Sequence, residues 1–387
     1  MERILLSSPH MSGNEQTYIN EAFETNWIAP LGPNVVRFEK DIANYVGVKS
    51  AAVTDSGTAA IHLALSVLGV GKGDTVFCST FTFVASANPV LYLGADIVFI
   101  DSEPETWNMS PVALYRGLKE AEKKGERPKA IIVVNLYGQS AKMDELLEVA
   151  NRFNVPIIED AAESLGSEYK GKKSGSFGKL GIYSFNGNKI ITTSGGGALV
   201  SEDEDLIEKA VFLATQARDN APHYQHSVIG YNYRMSNVVA GIGRAQLEVL
   251  DERVSQRRAI YERYHQELSS IDGINFMPEL ENTMSNRWLT TLTFDPAIVR
   301  FSPYDLMDLM SKKNIESRVL WKPLHLQPLF VNKKFYAHNQ EENSVSEDLF
   351  STGLCLPSGS NMTEIQQEYI IHSLKKLLSK RLLVNQF

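Results

Sequence analysis

From residue 51 onward, short apolar and β-branched runs alternate with stretches whose apolar positions recur every three to four residues. That alternation predicts an α/β domain with a largely parallel sheet, because parallel neighbours need a crossover helix between them. Ala51–Thr54, Thr75–Ser79, Ile97–Ile100, Ala130–Asn135 and Pro156–Ile158 read as strands covered on both faces, with Gly181–Phe185 and Gly197–Val200 following. Ser110-Pro111 and Ser302-Pro303 each set a capping hydroxyl before a proline at the first helical position. After Ser236 the pattern becomes one long helix, with Leu247, Leu250, Val254, Tyr261 and Leu268 at helical spacing among charged residues. This helix is expected to leave a large domain, residues 1–250, and enter a smaller one, residues 251–387. The smaller one is expected to carry a strand at Trp288–Phe294, a helix from Pro303, an extended segment over Arg318–Leu324 and an amphipathic helix from about Thr363.

At 387 residues, 43% hydrophobic and 22% charged, the chain has material for a sizeable core without staples. Its net charge of -8, from 38 basic and 46 acidic side chains, argues against a nucleic-acid or membrane-surface partner and leaves small molecules and proteins. Cys78 and Cys355 lie 277 positions apart with no CxxC spacing, so neither a disulfide framework nor a metal site is expected. A reducing, cytoplasmic setting fits that cysteine usage, and neither a signal peptide nor a membrane span is read in the pattern.

In open α/β sheets ligands gather at the carboxyl ends of strands, which directs attention to three places. The first is Ser56-Gly57-Thr58-Ala59-Ala60, where a strand ends in small residues and a helix begins. Its unpaired N–H groups and positive dipole end suit a phosphate, although alone it is equally an ordinary capped helix start. The second is the strand ending in Glu159 and Asp160, followed by Ala161, Ala162 and Glu163. Strand alternation sends the adjacent acids to opposite faces, so at most one enters a given pocket. The third is Lys189, set among small and apolar residues after Tyr183-Ser184-Phe185-Asn186-Gly187-Asn188 and before Gly195-Gly196-Gly197. Desolvation of such a lysine would make it a nucleophile for a carbonyl; by itself it is as compatible with a surface hairpin. Together, an anion cradle, a strand-end carboxylate and a sequestered lysine are the three fixed points of a pyridoxal phosphate site.

These motifs, with Asn26-Trp27-Ile28-Ala29-Pro30-Leu31-Gly32-Pro33, Gly230-Tyr231-Asn232-Tyr233-Arg234 and the segment Trp321 to Pro328, resemble the DegT/DnrJ/StrS family of pyridoxal phosphate-dependent sugar aminotransferases over nearly the whole chain. The closest likeness is to the branch that aminates the 4-keto group of a UDP-linked acetamido sugar. The resemblance implies a fold-type I aminotransferase: a large domain with a mostly parallel mixed sheet flanked by helices, plus a smaller C-terminal α/β domain. It implies Lys189 as the lysine that bonds the cofactor and Asp160 as partner of the pyridine nitrogen. Gly57, Thr58 and Ser184 fall on the phosphate, Phe83 on the face of the ring, and Glu163 beside the ring hydroxyl. Asn232 is expected to reach the phosphate of a neighbouring subunit, which makes a homodimer with shared sites. The sugar nucleotide is expected at Trp27, Ile28, Ala29, Pro30 and Leu31, within an N-terminal substrate segment of about residues 1–35, and at Asn186, Arg318 and His325. Val319 stands where close relatives usually have proline, and His223 and His226 carry only a weak signal.

The expected reaction takes the amino group of L-glutamate to C4 of a nucleotide-linked 4-keto-6-deoxy sugar, with UDP-2-acetamido-2,6-dideoxy-hexos-4-ulose as acceptor, in exopolysaccharide or glycan precursor synthesis, without a metal. Within the family a dTDP-linked or 3-keto acceptor is the alternative. A nicotinamide-dependent sugar dehydrogenase would share the α/β pattern, yet Gly69, Gly71 and Gly73 do not make GxGxxG.

Overall fold

The computed structural model describes residues 2–340 and 343–382. The strand-and-crossover pattern builds β1 (Ser50–Thr54), β2 (Thr75–Ser79), β3 (Asp96–Ile100), β4 (Ala130–Val134) and β5 (Ile157–Asp160). Next come two-residue strands β6 (Glu168–Tyr169) and β7 (Lys172–Lys173), then β8 (Leu180–Ser184) and β9 (Gly197–Ser201). The C-terminal region adds β10 (Ile274–Phe276), β11 (Thr283–Met284), β12 (Thr290–Phe294), β13 (Arg318–Val319), β14 (Lys334–Tyr336) and β15 (Gly353–Leu356).

Eight strands form the large sheet in the order β1-β9-β8-β5-β4-β2-β3-β14. From β8 to β14 every pairing is parallel, and β9 runs antiparallel to both β8 and β1. The carboxyl ends of β2, β4, β5 and β8 therefore point the same way, and the strand order is that of a mixed sheet. The strands are buried on both faces, with Ile131, Ile132, Ile158, Ile182 and Leu199 all shielded from solvent. A second, antiparallel sheet in the order β10-β12-β15-β13 is packed against the terminal helix Glu364–Leu382, around Leu292, Leu306, Tyr264, Ile370 and Leu374.

Three local expectations are corrected. The single helix after Ser236 is two, Asn237–Glu248 and Leu250–Leu268, broken at Val249, where φ is -110° and ψ 9°. Leu247, Leu250 and Val254 share one core across the break, so the apolar rhythm runs through it unchanged. The strand expected from Trp288 begins at Thr290, because Arg287 adopts a left-handed φ of 49° and turns the chain just before it. The extended segment from Arg318 pairs with β15 through Val319, with one further backbone bond from the Leu320 N–H to the Gly353 carbonyl, and Leu324–Leu326 forms a 3₁₀ turn instead. The C-terminal region also returns to the large sheet: β14 lies parallel beside β3, with Lys334 opposite Val98.

Candidate active site

The carboxyl ends of β1, β5 and β8 surround a cavity of about 360 Å³. Its lining includes Gly57, Thr58, Phe83, Asp160, Glu163, Ser184, Asn186 and Lys189, so eight of the sequence-predicted residues converge on one space.

The helix Gly57–Val67 opens this site. Ser56 caps it, its Oγ accepting the Ala59 N–H at 3.1 Å. The N–H groups of Gly57 and Thr58, at the first two helical positions, have no carbonyl one turn earlier to bond. Ser184 ends β8 beside them, so two N–H groups and a hydroxyl face the same corner. This corner depends on glycine: a Cβ on Gly197 would stand 2.5 Å from the Gly57 nitrogen, and one on Gly57 would meet Ser184 Cβ at 3.1 Å. Three donors at a helix start make an anion cradle.

At the end of β5 the two acids part as alternation requires. Glu159 turns away from the cavity, where its carboxylate accepts N–H bonds from Gly175 (2.6 Å), Phe177 (2.9 Å) and Gly178 (3.3 Å) and from the Asn135 amide (2.8 Å). Asp160 lines the cavity and accepts the Ser86 hydroxyl at 2.7 Å and the Ala162 N–H at 3.2 Å. Burial pushes the Asp160 carboxyl above its ordinary range, while Ser86, Ala162 and the nearby Lys189 charge pull it back down. A cation at this carboxylate would complete its pairing. Ser86 belongs to the 3₁₀ turn Val84–Ser86, and Phe83 precedes it, so one turn supplies both the Asp160 donor and the half-exposed ring. Phe83 leans on Trp321, ring centres 5.3 Å apart.

Lys189 projects from the loop between β8 and β9, its side chain 13% exposed. Nζ lies 3.7 Å from Glu163 Oε1 and 4.1 Å from the centre of the Trp288 ring. Glu163 is fully enclosed and accepts the Tyr137 N–H at 2.7 Å. Burial drives its carboxyl upward, and the Lys189 charge opposes that. The arrangement can hold a phosphorylated, nitrogen-containing aromatic aldehyde: anion cradle at one end, carboxylate at the other, amine between.

A family model described as the DegT/DnrJ/EryC1/StrS aminotransferase family matches residues 9–375. The chain belongs to this family. It is 63% identical over 376 residues to EpsN of Bacillus subtilis (strain 168), named as a candidate pyridoxal phosphate-dependent aminotransferase, covering 97% of this chain and 96% of that one. GDP-perosamine synthase of Caulobacter vibrioides is 38% identical, covering 98% and 99% of the two chains. A UDP-4-amino-4,6-dideoxy-N-acetyl-beta-L-altrosamine transaminase of Campylobacter jejuni is 32% identical, covering 90% and 91%. Among solved structures, a DegT/DnrJ/EryC1/StrS aminotransferase from Brucella abortus superposes with a TM-score of 0.87 at 28% identity, covering 95% of each chain. The protein is therefore a pyridoxal phosphate-dependent sugar aminotransferase of this family, with its fold. The dehydrogenase alternative is set aside.

Other expected residues lie outside the cavity. Trp27, Ile28, Ala29, Pro30 and Leu31 are exposed, and the carbonyls of Trp27 and Ala29 hold Asn237. Asn232 is exposed and forms an isolated bridge with Thr215. Arg318 pairs with Glu316 at 2.8 Å and lines a second cavity of about 590 Å³, which shares Asn188, Trp288 and Trp321 with the first. His223 and His226 are exposed on the polar loop.

His325 lines neither of these two cavities. Both ring nitrogens are engaged, Nδ1 with Thr80 Oγ1 at 2.7 Å and Nε2 with Glu347 at 3.1 Å, and the ring stacks on Phe335 at 3.7 Å. Burial lowers its basicity, opposed by Glu347. It fastens the returning segment to the end of β2.

Sequence reasoning missed Ser86, Tyr137 and Trp288. Ser86 and Tyr137 sit in short 3₁₀ turns without a local signature, and Tyr137 has a left-handed φ of 52°. Trp288 falls at the start of the expected strand, with no signal of a place in the site.

Proposed function

We propose that this aminotransferase moves the amino group of L-glutamate to C4 of a UDP-linked 2-acetamido-4-keto-6-deoxy sugar, in the cytoplasm, on the route to exopolysaccharide or glycan precursors. The observation that carries this reading is the room beyond the lysine. A 590 Å³ cavity continues from the cofactor pocket past Trp288 and Trp321, and Arg318 and Lys322 line it, as a bulky anionic acceptor requires.

The cofactor, when bound, supplies an electron sink and carries the amine between the two substrates. Gly57, Thr58 and Ser184 hold its phosphate through N–H and hydroxyl donors. Asp160 stays ionised against the cationic ring nitrogen, Phe83 covers the ring face, and Glu163 stands beside the ring hydroxyl. Lys189 Nζ would take a proton from the substrate carbon and hand it back two atoms along, on the far side of the transferred nitrogen. Asn186 lies at the rim toward the sugar. Asn232 and Trp27 to Leu31, exposed on their own chain, serve the cavity of a second copy in a homodimer. Arg318 meets the diphosphate.

A GDP-linked acceptor is the second reading, favoured by the likeness to GDP-perosamine synthase. The deciding experiment supplies glutamate with UDP-, GDP- and dTDP-linked 4-keto and 3-keto sugars and follows 2-oxoglutarate release and product stereochemistry. The largest kcat/KM is expected with the UDP-linked 4-keto acetamido sugar. A preference of tenfold or more for a GDP- or dTDP-linked sugar, or for a 3-keto sugar, would overturn the acceptor assignment.

A further inference from the structure

Trp288 is held more firmly than a wall residue requires. It is 1% exposed and sits just past the left-handed Arg287. Its backbone N–H donates to Asn286 Oδ1 at 2.8 Å, and its indole N–H donates to the Asn188 carbonyl at 2.8 Å. The Asn286 amide in turn donates to the carbonyls of Glu163 and Leu165, and its backbone N–H to Ser167 Oγ. Gly138 permits this packing, since a Cβ there would overlap Asn286 Oδ1.

The remaining fastening is a buried cation. Arg257, 1% exposed, donates to the Trp288 carbonyl and, at 3.0 Å, to Ser7 Oγ, whose own proton goes to the Asn188 carbonyl at 2.7 Å. No carboxylate pairs with Arg257 among the described residues; burial and the neighbouring Arg253 lower its pKa to about 9. A buried guanidinium without a counter-ion is costly, so its bonds to carbonyl and hydroxyl acceptors must be kept. Arg257, Ser7, Asn188 and Trp288 thus form a closed loop of hydrogen bonds adjoining Lys189.

We propose that Trp288 is a positioning residue for Lys189: its indole face holds the ammonium that forms whenever the lysine carries a proton and is not bonded to the cofactor. Two features of the cavity favour an ammonium at this place, the Trp288 ring on one side and the Glu163 carboxylate on the other. Each time Lys189 Nζ takes a proton from a substrate carbon, the new cation is met by a face already in place. Without that face the chain's flexible four-carbon stem would let the ammonium turn toward water. This inference rests on Lys189 as the proton carrier, and the test separates the two.

The test compares wild type, Trp288→Phe, Trp288→Leu and Lys189→Ala, each first checked for an unchanged melting temperature and far-ultraviolet spectrum. Exchange of the glutamate Cα hydrogen in heavy water, followed by NMR on the cofactor-loaded protein, reads proton transfer. Reductive methylation of the cofactor-free protein, with Lys189 quantified by peptide mass spectrometry, reads how freely the amine meets solvent. Trp288→Leu should slow exchange about tenfold and raise Lys189 methylation about tenfold, with other lysines unchanged and glutamate KM moved less than twofold. Trp288→Phe, which keeps a ring face, should stay within threefold on both readouts. Equal effects from Phe and Leu, or a Leu variant matching wild type on either readout, would overturn the proposal. If Trp288→Leu fails the folding check, Arg257→Lys replaces it; loosening of Lys189 is then expected to be smaller but in the same direction, and no change in methylation counts against the proposal. Exchange retained by Lys189→Ala would instead remove Lys189 as proton carrier.

Discussion

The two walls of the active site are built in different ways. One wall comes from residues 56 to 189, where Ser56, Asp160 and Ser184 sit at or just beyond the carboxyl ends of β1, β5 and β8, three strands that run the same way, with antiparallel β9 between β1 and β8, and so arrive at one point. The other comes from Trp288, Trp321 and the returning segment, whose places are set by contacts between residues a hundred or more positions apart. The first wall follows from strand topology. The second follows from packing, and a residue there can carry a chemical-looking side chain for a purely structural purpose. His325 has both ring nitrogens engaged within the protein, whereas Trp288, at the start of the expected strand, faces the lysine directly.

The sharpest way to test the first wall is Asp160→Asn. Loss of the carboxylate proposed to face the ring nitrogen should cut turnover roughly 10²–10⁴-fold, measured by 2-oxoglutarate release. The same variant has an opposite effect on the empty protein. Because the folded pKa of Asp160 is raised above 3.8, ionising it costs stability as pH rises. The two proteins should melt alike near pH 3.8, and the cofactor-free Asp160→Asn protein should gain on wild type as pH increases through the folded value. A constant difference across that range would contradict the burial argument.

Gly197→Ala probes the same wall by shape. The added methyl meets the Gly57 nitrogen and the Ser56 carbonyl carbon, so the helix start must shift; overpacking of this kind costs about 1–3 kcal/mol. Cofactor affinity, measured by equilibrium dialysis, should fall by about tenfold, the equivalent of ~1.4 kcal/mol. Glu159→Gln contrasts with its neighbour: burial raises the Glu159 carboxyl too, but both of its oxygens accept N–H bonds, and a glutamine must turn an NH2 toward either Gly175 or Phe177 and Gly178, so unfolding free energy should drop by about 1–3 kcal/mol while the visible spectrum of bound cofactor stays the same. The smallest effect is expected at the second wall. His325→Gln should cost about 0.5–1.5 kcal/mol of stability in a denaturant titration and leave KM for the sugar nucleotide within twofold. A large KM change would restore His325 to the substrate site.

What was legible in the sequence divides along the same line. The strand ends, the capped helix at Ser56 and the opposed facing of Glu159 and Asp160 all follow from periodicity and strand geometry. The break at Val249 was invisible because the apolar spacing continues through it. Ser86 could not be tied to Asp160 across 74 positions, and nothing near Lys334 announces a strand of the large sheet. These are long-range facts, carried by backbone pairing and single hydrogen bonds and not by the rhythm of side chains.

The strand β14 carries a consequence for how the molecule comes into being. It closes the flank of β3 through residues that leave the ribosome some 236 positions after their partners, counting from Val98 to Lys334. Until then β3 presents unpaired N–H and C=O groups to any passing chain, the arrangement that templates aggregation. The nascent large sheet must therefore wait with an open edge through most of synthesis, and nonlocal closure of this kind is slow. Any shortened form ending before Lys334 would keep that edge permanently bare, however complete its cofactor pocket.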